Sequence, residues 1–255
     1  SLRSFRHFGG EPFRLVVHPH GLSEQARSTI VRHFPGVVLS DETDVRQQII
    51  GQWGTRYPTL VRFRQDAAFF TLPKVIDSHF LAKNEYYITL DPDVLFFSEP
   101  LEMMAIVANP SGKAACFNVL REKAVGSKGC YIVDEGALEH EYNIKLDPHF
   151  GIGCGWVRPG ACDWDLVEAV LAEIPLIPGF DFMMDQTVSA LMVAKPGYVT
   201  LDRSRYTIEP VKSLDGVVTR HYYSKTRDLM YLEGMRTLAR RGLLEKWMNG
   251  LYNES

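Results

Sequence analysis

The feature that most limits the fold of this chain is the stretch YYITLDPDVLFF, residues 86–97, in which two acids one proline apart interrupt an otherwise apolar run. The segment YYITL has the length and character of a buried strand. Asp91 and Asp93 cannot follow it into a core, so the strand ends where they begin. In an α/β layer fold, a strand ending in Asp-Pro-Asp at the carboxyl edge of the sheet delivers both acids to the crevice where such folds bind ligands. Two like charges held side by side are costly, and the cost falls if a divalent cation sits between them. Hard oxygen ligands suit Mg²⁺ or Mn²⁺, which in turn grips a diphosphate. Pro92 has no N–H and a fixed φ, so it stiffens the spacing of the two carboxylates. The plainer reading is that the acids cap a solvent-exposed strand end, and Asp-x-Asp alone is compatible with either. The apolar block VLFF that follows favours the functional one, because solvated turns seldom lie between two apolar runs.

The rest of the chain alternates strand-like and helix-like segments, which is the pattern of an α/β layer fold. FRLVVHPHG (13–21) and GVVLS (36–40) read as strands, with a helix between them that begins at Ser23 as N-cap. Residues 66–82 read as a helix leading into the acid-bearing strand. KAACFNV (113–119) and GIGCGWVRPG (151–160) read as strands joined by a long polar connection, about 119–148, of the kind that usually has a binding role. WDLVEAVLAEI and DQTVSALMVA read as helices, YVTLD and VVTRHYY as strands, and 225–249 as a closing helix. With 255 residues, of which 45% are hydrophobic and 23% charged, the chain can bury one large core. No repeat or linker divides it, so a single domain over 1–255 is expected.

Composition excludes several classes. A formal charge of -3 gives no basic footprint, so nucleic acid is not an expected partner. The four cysteines, Cys116, Cys130, Cys154 and Cys162, form no C-x-x-C pair and point neither to zinc nor to a disulfide framework. Reduced cysteines in a cytoplasmic protein are expected. No apolar run approaches the roughly 20 residues that cross a bilayer, so no membrane span is expected, and SLRSFRHFGG does not read as a signal peptide.

KNEYYITLDPDVLFFSEPLE (83–102) resembles the D-x-D strand of nucleotide-sugar glycosyltransferases with the GT-A fold, in particular the glycogenin and bacterial galactosyltransferase group. Four further stretches fall in that family's order, so the resemblance covers nearly the whole chain. Lys74, in LPKVID, stands on the helix where the family keeps a donor-contacting lysine. FGIGCGWVRP (150–159) is similar to the family's F-N-x-G strand, which places Gly151 and Gly153 at substrate-binding positions. MDQTVSA is similar to its D-Q helix start, with Asp185 and Gln186 as the catalytic pair. HYYSKTR (221–227) stands where the family has H-x-x-G-x-x-K. His221 would then be the third metal ligand beside Asp91 and Asp93, and Lys225 and Arg227 would face the diphosphate. The resemblance implies a Rossmann-like α/β sandwich with a mostly parallel central sheet and Mn²⁺ or Mg²⁺ as cofactor. It also implies hexosyl transfer from a nucleotide-diphosphate sugar, a UDP-sugar first, to an unknown acceptor.

Each of these residues has a plainer alternative. Lys74 could be a surface lysine, and Gly151, Gly153 and Gly155 could permit tight strand packing. Asp185 could answer a helix dipole, and His221 could be a satisfied core histidine. The cationic KTR after His221 favours a ligand, since Lys225 and Arg227 could neutralise a departing diphosphate. The chain also departs from the family. Gly151 replaces the asparagine of the F-N-x-G strand, Ala190 stands where the D-Q helix often has another, and Ser224 replaces the glycine of the histidine motif. Sugar identity therefore does not carry over. The likeness begins at the family's first helix, so the strand that would contact the nucleobase is expected before Ser1 or not retained. Two rivals remain: a sugar- or nucleotide-binding module of this fold without turnover, and a haloacid dehalogenase type phosphatase. The phosphatase motif wants Thr or Val where Leu95 stands, and more than 80 residues precede the acids here.

Overall fold

The computed structural model describes residues 1–9, 13–19, 21–83, 85–108, 113, 115–119, 131–223 and 226–245. Among these described residues it is a mixed α/β fold with three small sheets. The acid-bearing strand β3 (Tyr87–Leu90) lies at one edge of a four-stranded sheet. Next come β6 (Phe150–Val157), β5 (Ala115–Val119) and β7 (Tyr198–Thr200). A three-stranded sheet has the order β4 (Val94–Phe96), β9 (Thr219–His221), β8 (Tyr206–Thr207). β1 (Val16–Val17) and β2 (Val38–Leu39) form a separate parallel pair.

The expectation of a mostly parallel central sheet is corrected here. Within the four-stranded sheet, among the described residues, β6 runs antiparallel to both β3 and β5, and only the β5–β7 pair is parallel. The cause lies in the connection after β5. Val119 pairs with Phe150, so the chain leaves and re-enters the sheet at the same end, and such a return needs no crossover. Alternation of strands and helices in sequence does not reveal this, because a long loop on a hairpin and a helical crossover have similar lengths.

Local chemistry sets the elements that carry the site. Ser23 caps α2 (Glu24–His33), accepting from the Ala26 N–H at 3.2 Å, as its position predicts. The expected helix over 66–82 is a short 3₁₀ turn at Ala67–Phe69 followed by α5 (Pro73–Ala82). Pro73 opens α5, and Lys83 in the left-handed region closes it. Asp77 fixes α5 to α4 (Pro58–Gln65) through a fork of two hydrogen bonds from Arg64, 2.8 and 2.7 Å, both side chains being buried. α9 (Met184–Ala194) is buried from Met184 to Val193 and packs with β6 and with α8 (Trp164–Glu173) in the main apolar cluster. A second cluster, with Val94, Phe96, Trp156 and Tyr206, lies between the two larger sheets.

After β9 come α10 (Arg227–Leu229), a π-helical turn at Met230–Met235 and α11 (Arg236–Arg240). The sequence reading did not foresee α1 (Leu2–Gly9), α3 (Glu42–Trp53), α4, α6 (Leu101–Val107) or β8. Among the described residues no helix is long and apolar enough to cross a membrane.

Candidate active site

The acids of residues 91–93 sit where the chain passes from one sheet to the other. The Asp91 N–H still donates to the Gly153 carbonyl at 2.9 Å, continuing the β3–β6 ladder by one residue. The Val94 N–H then donates to the Asp91 carbonyl at 3.1 Å, closing a four-residue turn with Pro92 at its second position, and β4 begins in the other sheet. Asp91 and Asp93 thus project from a stiff turn at a sheet junction, which is why an apolar run resumes immediately after them.

β9 brings the histidine. Val94 pairs with His221, and the Tyr222 N–H donates to the Asp93 carbonyl at 2.8 Å. His221 Nε2 lies 3.1 Å from Asp93 Oδ1 and 3.6 Å from Asp91 Oδ2. One ligand atom from each of the three residues lies within 4.8 Å of the others. The imidazole reaches this position because Gly153 has no side chain: a Cβ there would sit 2.1 Å from His221 Nδ1. Gly153 therefore keeps space for His221. Two carboxylates and an imidazole, with room made for the ring, form a donor set that fits Mn²⁺ or Mg²⁺.

Cations and a third acid surround this group. Lys74, in the first turn of α5, places Nζ 2.6 Å from Asp91 Oδ1 and 3.8 Å from Asp185 Oδ2. Arg227 Nε lies 3.4 Å from Asp93 Oδ2. Burial by itself would raise the Asp93 carboxyl. The hydrogen bond and charge of His221, with Arg227 behind them, outweigh burial and hold it below the ordinary value. Asp185, at the start of α9, is 7% exposed. Burial and the nearby Asp91 push its carboxyl up to about 6 against the opposing pull of Lys74.

Six of the residues singled out in the sequence thus converge: Lys74, Asp91, Asp93, Asp185, His221 and Arg227. Gln186 is buried in α9, its N–H bonded to Asp185 Oδ1 at 2.9 Å. Gly151 is buried on β6 two residues before Gly153. Lys225 lies outside the described residues. Of the long connection, 131–148 is described, with residue 119 at its start. Its Ile132 N–H donates to Thr187 Oγ1 of α9 at 3.0 Å, and Asp134 caps α7 (Glu135–Tyr142). Glu139, His140 and Glu141 are exposed, and Glu122 is outside the described residues.

Sequence reasoning missed Tyr223, whose ring centroid is 5.7 Å from that of His221, and the pair Arg220 and Glu233 behind β9. An arginine in an apolar strand was the available signal. A cavity of about 630 Å³ runs along the outer edge of β3, lined in part by Phe5, Val16, Phe34, Tyr87 and Leu90. It reaches the residue before Asp91, but none of the six converging side chains lines it.

No protein-family model matches the chain, and no curated protein does. The chain is similar to the crystal structure of mouse xyloside xylosyltransferase 1 in its apo form, with a TM-score of 0.55. The match covers 89% of this chain and 91% of the mouse chain at 13% sequence identity. At that identity the likeness speaks for the fold alone, which is glycosyltransferase-like.

Proposed function

We propose that the protein transfers a sugar from a nucleotide-diphosphate donor, a UDP-sugar first, to the hydroxyl of an acceptor, using Mn²⁺ or Mg²⁺ held by Asp91, Asp93 and His221. The observation that carries this reading is the convergence of ligand atoms from two distant parts of the chain within 4.8 Å of one another. The likeness of the fold to a xylosyltransferase supports it.

A divalent ion bound there would supply charge neutralisation for the departing diphosphate. The remaining roles belong to side chains. Lys74 lies against Asp91 and Arg227 against Asp93, and both are suited to hold phosphate oxygens once the acids are occupied. Asp185, in a dry position beside Lys74, is suited to orient the donor sugar or stabilise charge developing at its reacting carbon. Gln186 follows it as the second residue of the proposed catalytic pair. Gly153 acts in this reading by leaving room for His221.

One observation favours a second reading, a binding module without turnover. The Lys74 ammonium already forms a close ion pair with Asp91, which a divalent cation must displace. Calorimetry with Mn²⁺ and UDP, followed by donor hydrolysis, separates the two readings. The transferase reading expects metal-dependent UDP binding in the wild type, its loss in Asp93→Asn with the fold intact, and measurable hydrolysis of a UDP-sugar. Binding without any hydrolysis or transfer leaves the module. UDP binding that is indifferent to metal and to Asp93→Asn removes the metal site.

A further inference from the structure

His221 presents its ring to the acids on one face of β9, and the neighbouring positions Arg220 and Tyr222 face the other way. Arg220 is fully buried, at 0% exposure. Its guanidinium carbon lies 4.6 Å from the centroid of the Tyr222 ring, and its Nη1 is in ion-pair contact with Glu233. Its Nε and Nη2 have no hydrogen-bond partner among the described residues. A permanent positive charge is therefore held one residue from His221, opposite Leu95, behind a site whose cargo would also be a cation.

Glu233 answers that charge. It stands on the π-helical turn Met230–Met235, and its Oε1 also accepts from the Tyr222 hydroxyl at 3.3 Å. Isolated π turns inside helices are frequent at functional positions. This one lies against β4 and the residue that follows β9: a Cβ on Gly234 would come 2.6 Å from the Tyr222 hydroxyl oxygen and 2.7 Å from Leu95 Cδ1. The helical segment that carries Glu233 begins with Arg227, beside Asp93, and just past its end Arg241 donates to the Phe97 carbonyl. Tyr222 in turn holds the Asp93 carbonyl through its N–H.

We infer that Glu233 is a positioning residue for the metal site: it neutralises Arg220 and, through Tyr222 and the π turn, sets His221, Asp93 and Arg227 at their mutual spacing. This rests on the metal-dependent reading of the site. Among the described residues Glu233 pairs with Arg220 and Tyr222 rather than with the three acids of the site; it acts through β9. Removing its charge leaves the Arg220 cation uncompensated behind the site, which opposes a second cation in front of it. Outer-shell partners of this kind typically change metal affinity 10- to 100-fold.

The test is a Mn²⁺ titration of the whole chain, read by the electron paramagnetic resonance signal of free Mn²⁺, on wild type, Glu233→Gln and the uncharged pair Arg220→Gln/Glu233→Gln. Glu233→Gln is expected to weaken Mn²⁺ binding by about 10- to 100-fold. The double variant, with no stranded charge, is expected to recover most of that loss. Urea unfolding of the same variants separates a merely structural role, which changes stability and leaves the Mn²⁺ affinity of the folded protein at its wild-type value. Wild-type affinity in Glu233→Gln overturns the inference, as does a double variant that folds and is as impaired as the single one. If Glu233→Gln does not fold, the double variant decides: near wild-type affinity supports the inference, and a folded double variant as weak as Asp93→Asn overturns it. A wild type that binds no Mn²⁺ overturns the metal reading itself, and this inference falls with it.

Discussion

Asp185 is an acid where water scarcely reaches, and burial disfavours its charged form. Its carboxyl, pushed up to about 6 by burial, takes a proton more readily in the folded than in the unfolded protein. Between about pH 4 and pH 6 the folded state therefore binds more protons, so stability falls as pH rises through that window. Roughly two pKa units correspond to about 3 kcal/mol. Metal-free Asp185→Asn is accordingly expected to be more stable than wild type at pH 7.5 by up to about that amount, with the gap shrinking at pH 4.5. Urea unfolding in chelator at the two pH values checks this, and a gap that is the same at both would mean that the carboxyl is not desolvated. Gly153 gives a second test at this scale. Gly153→Ala puts a methyl group where the imidazole lies, so Mn²⁺ affinity is expected to drop at least about tenfold, the lower range for disturbed ligand orientation. Unchanged affinity would mean that His221 is not a ligand. Asp91 and Asp93 stood out as candidates because they interrupt an apolar run, and His221 because it stands where the resembling family has its histidine motif. The function of Gly153 was not, since a glycine's use as space depends on a ring 68 positions away (221 minus 153).

At the scale of elements, type was legible and direction was not. The strands β3, β5, β7 and β9 lie within the segments that apolar runs mark out, β6 begins one residue before its segment, and α8 and α9 fall where helical spacing puts them. The reversal of β6 depends on the Val119–Phe150 pairing, which leaves no period in the sequence. Interruptions were equally hidden: the closing helix reads as regular by spacing, yet its Met230–Met235 turn is π-helical, and the missing side chain of Gly234 lets it lie against Tyr222 and Leu95. Gly234→Ala sets the tightness of that contact against the strain of a small side chain. The added methyl is expected to destabilise the fold by about 1 to 3 kcal/mol, the usual range for overpacking, and so to lower the melting temperature by several degrees. An unchanged melt would show that the π turn moves freely off β9.

For the whole molecule, the decisive fact is that the site straddles a junction between sheets. Asp91 hangs from the ladder of the four-stranded sheet, while Asp93 and His221 belong to the three-stranded one, and Lys74 and Asp185 come from helices packed on the first. A cation and a diphosphate seated among them would bridge parts of the fold that otherwise meet through the apolar cluster around Phe96 and Trp156. Ligand that binds only the folded state stabilises by mass action, about 2.7 kcal/mol at a hundred times its dissociation constant. For a chain of this size that corresponds to a rise in melting temperature of roughly 5 to 11 °C. The rise should require Mn²⁺ and UDP together, because the diphosphate has no metal to grip without the ion, and the ion alone must displace Lys74 from Asp91. It should vanish in chelator and in Asp93→Asn, and GDP at the same concentration should give less than UDP. Thermal melts across these combinations test the donor assignment without needing the acceptor. Equal shifts with UDP in the presence and absence of Mn²⁺ would mean that the nucleotide sits elsewhere, and the cavity along the outer edge of β3 would then be the place to look for it.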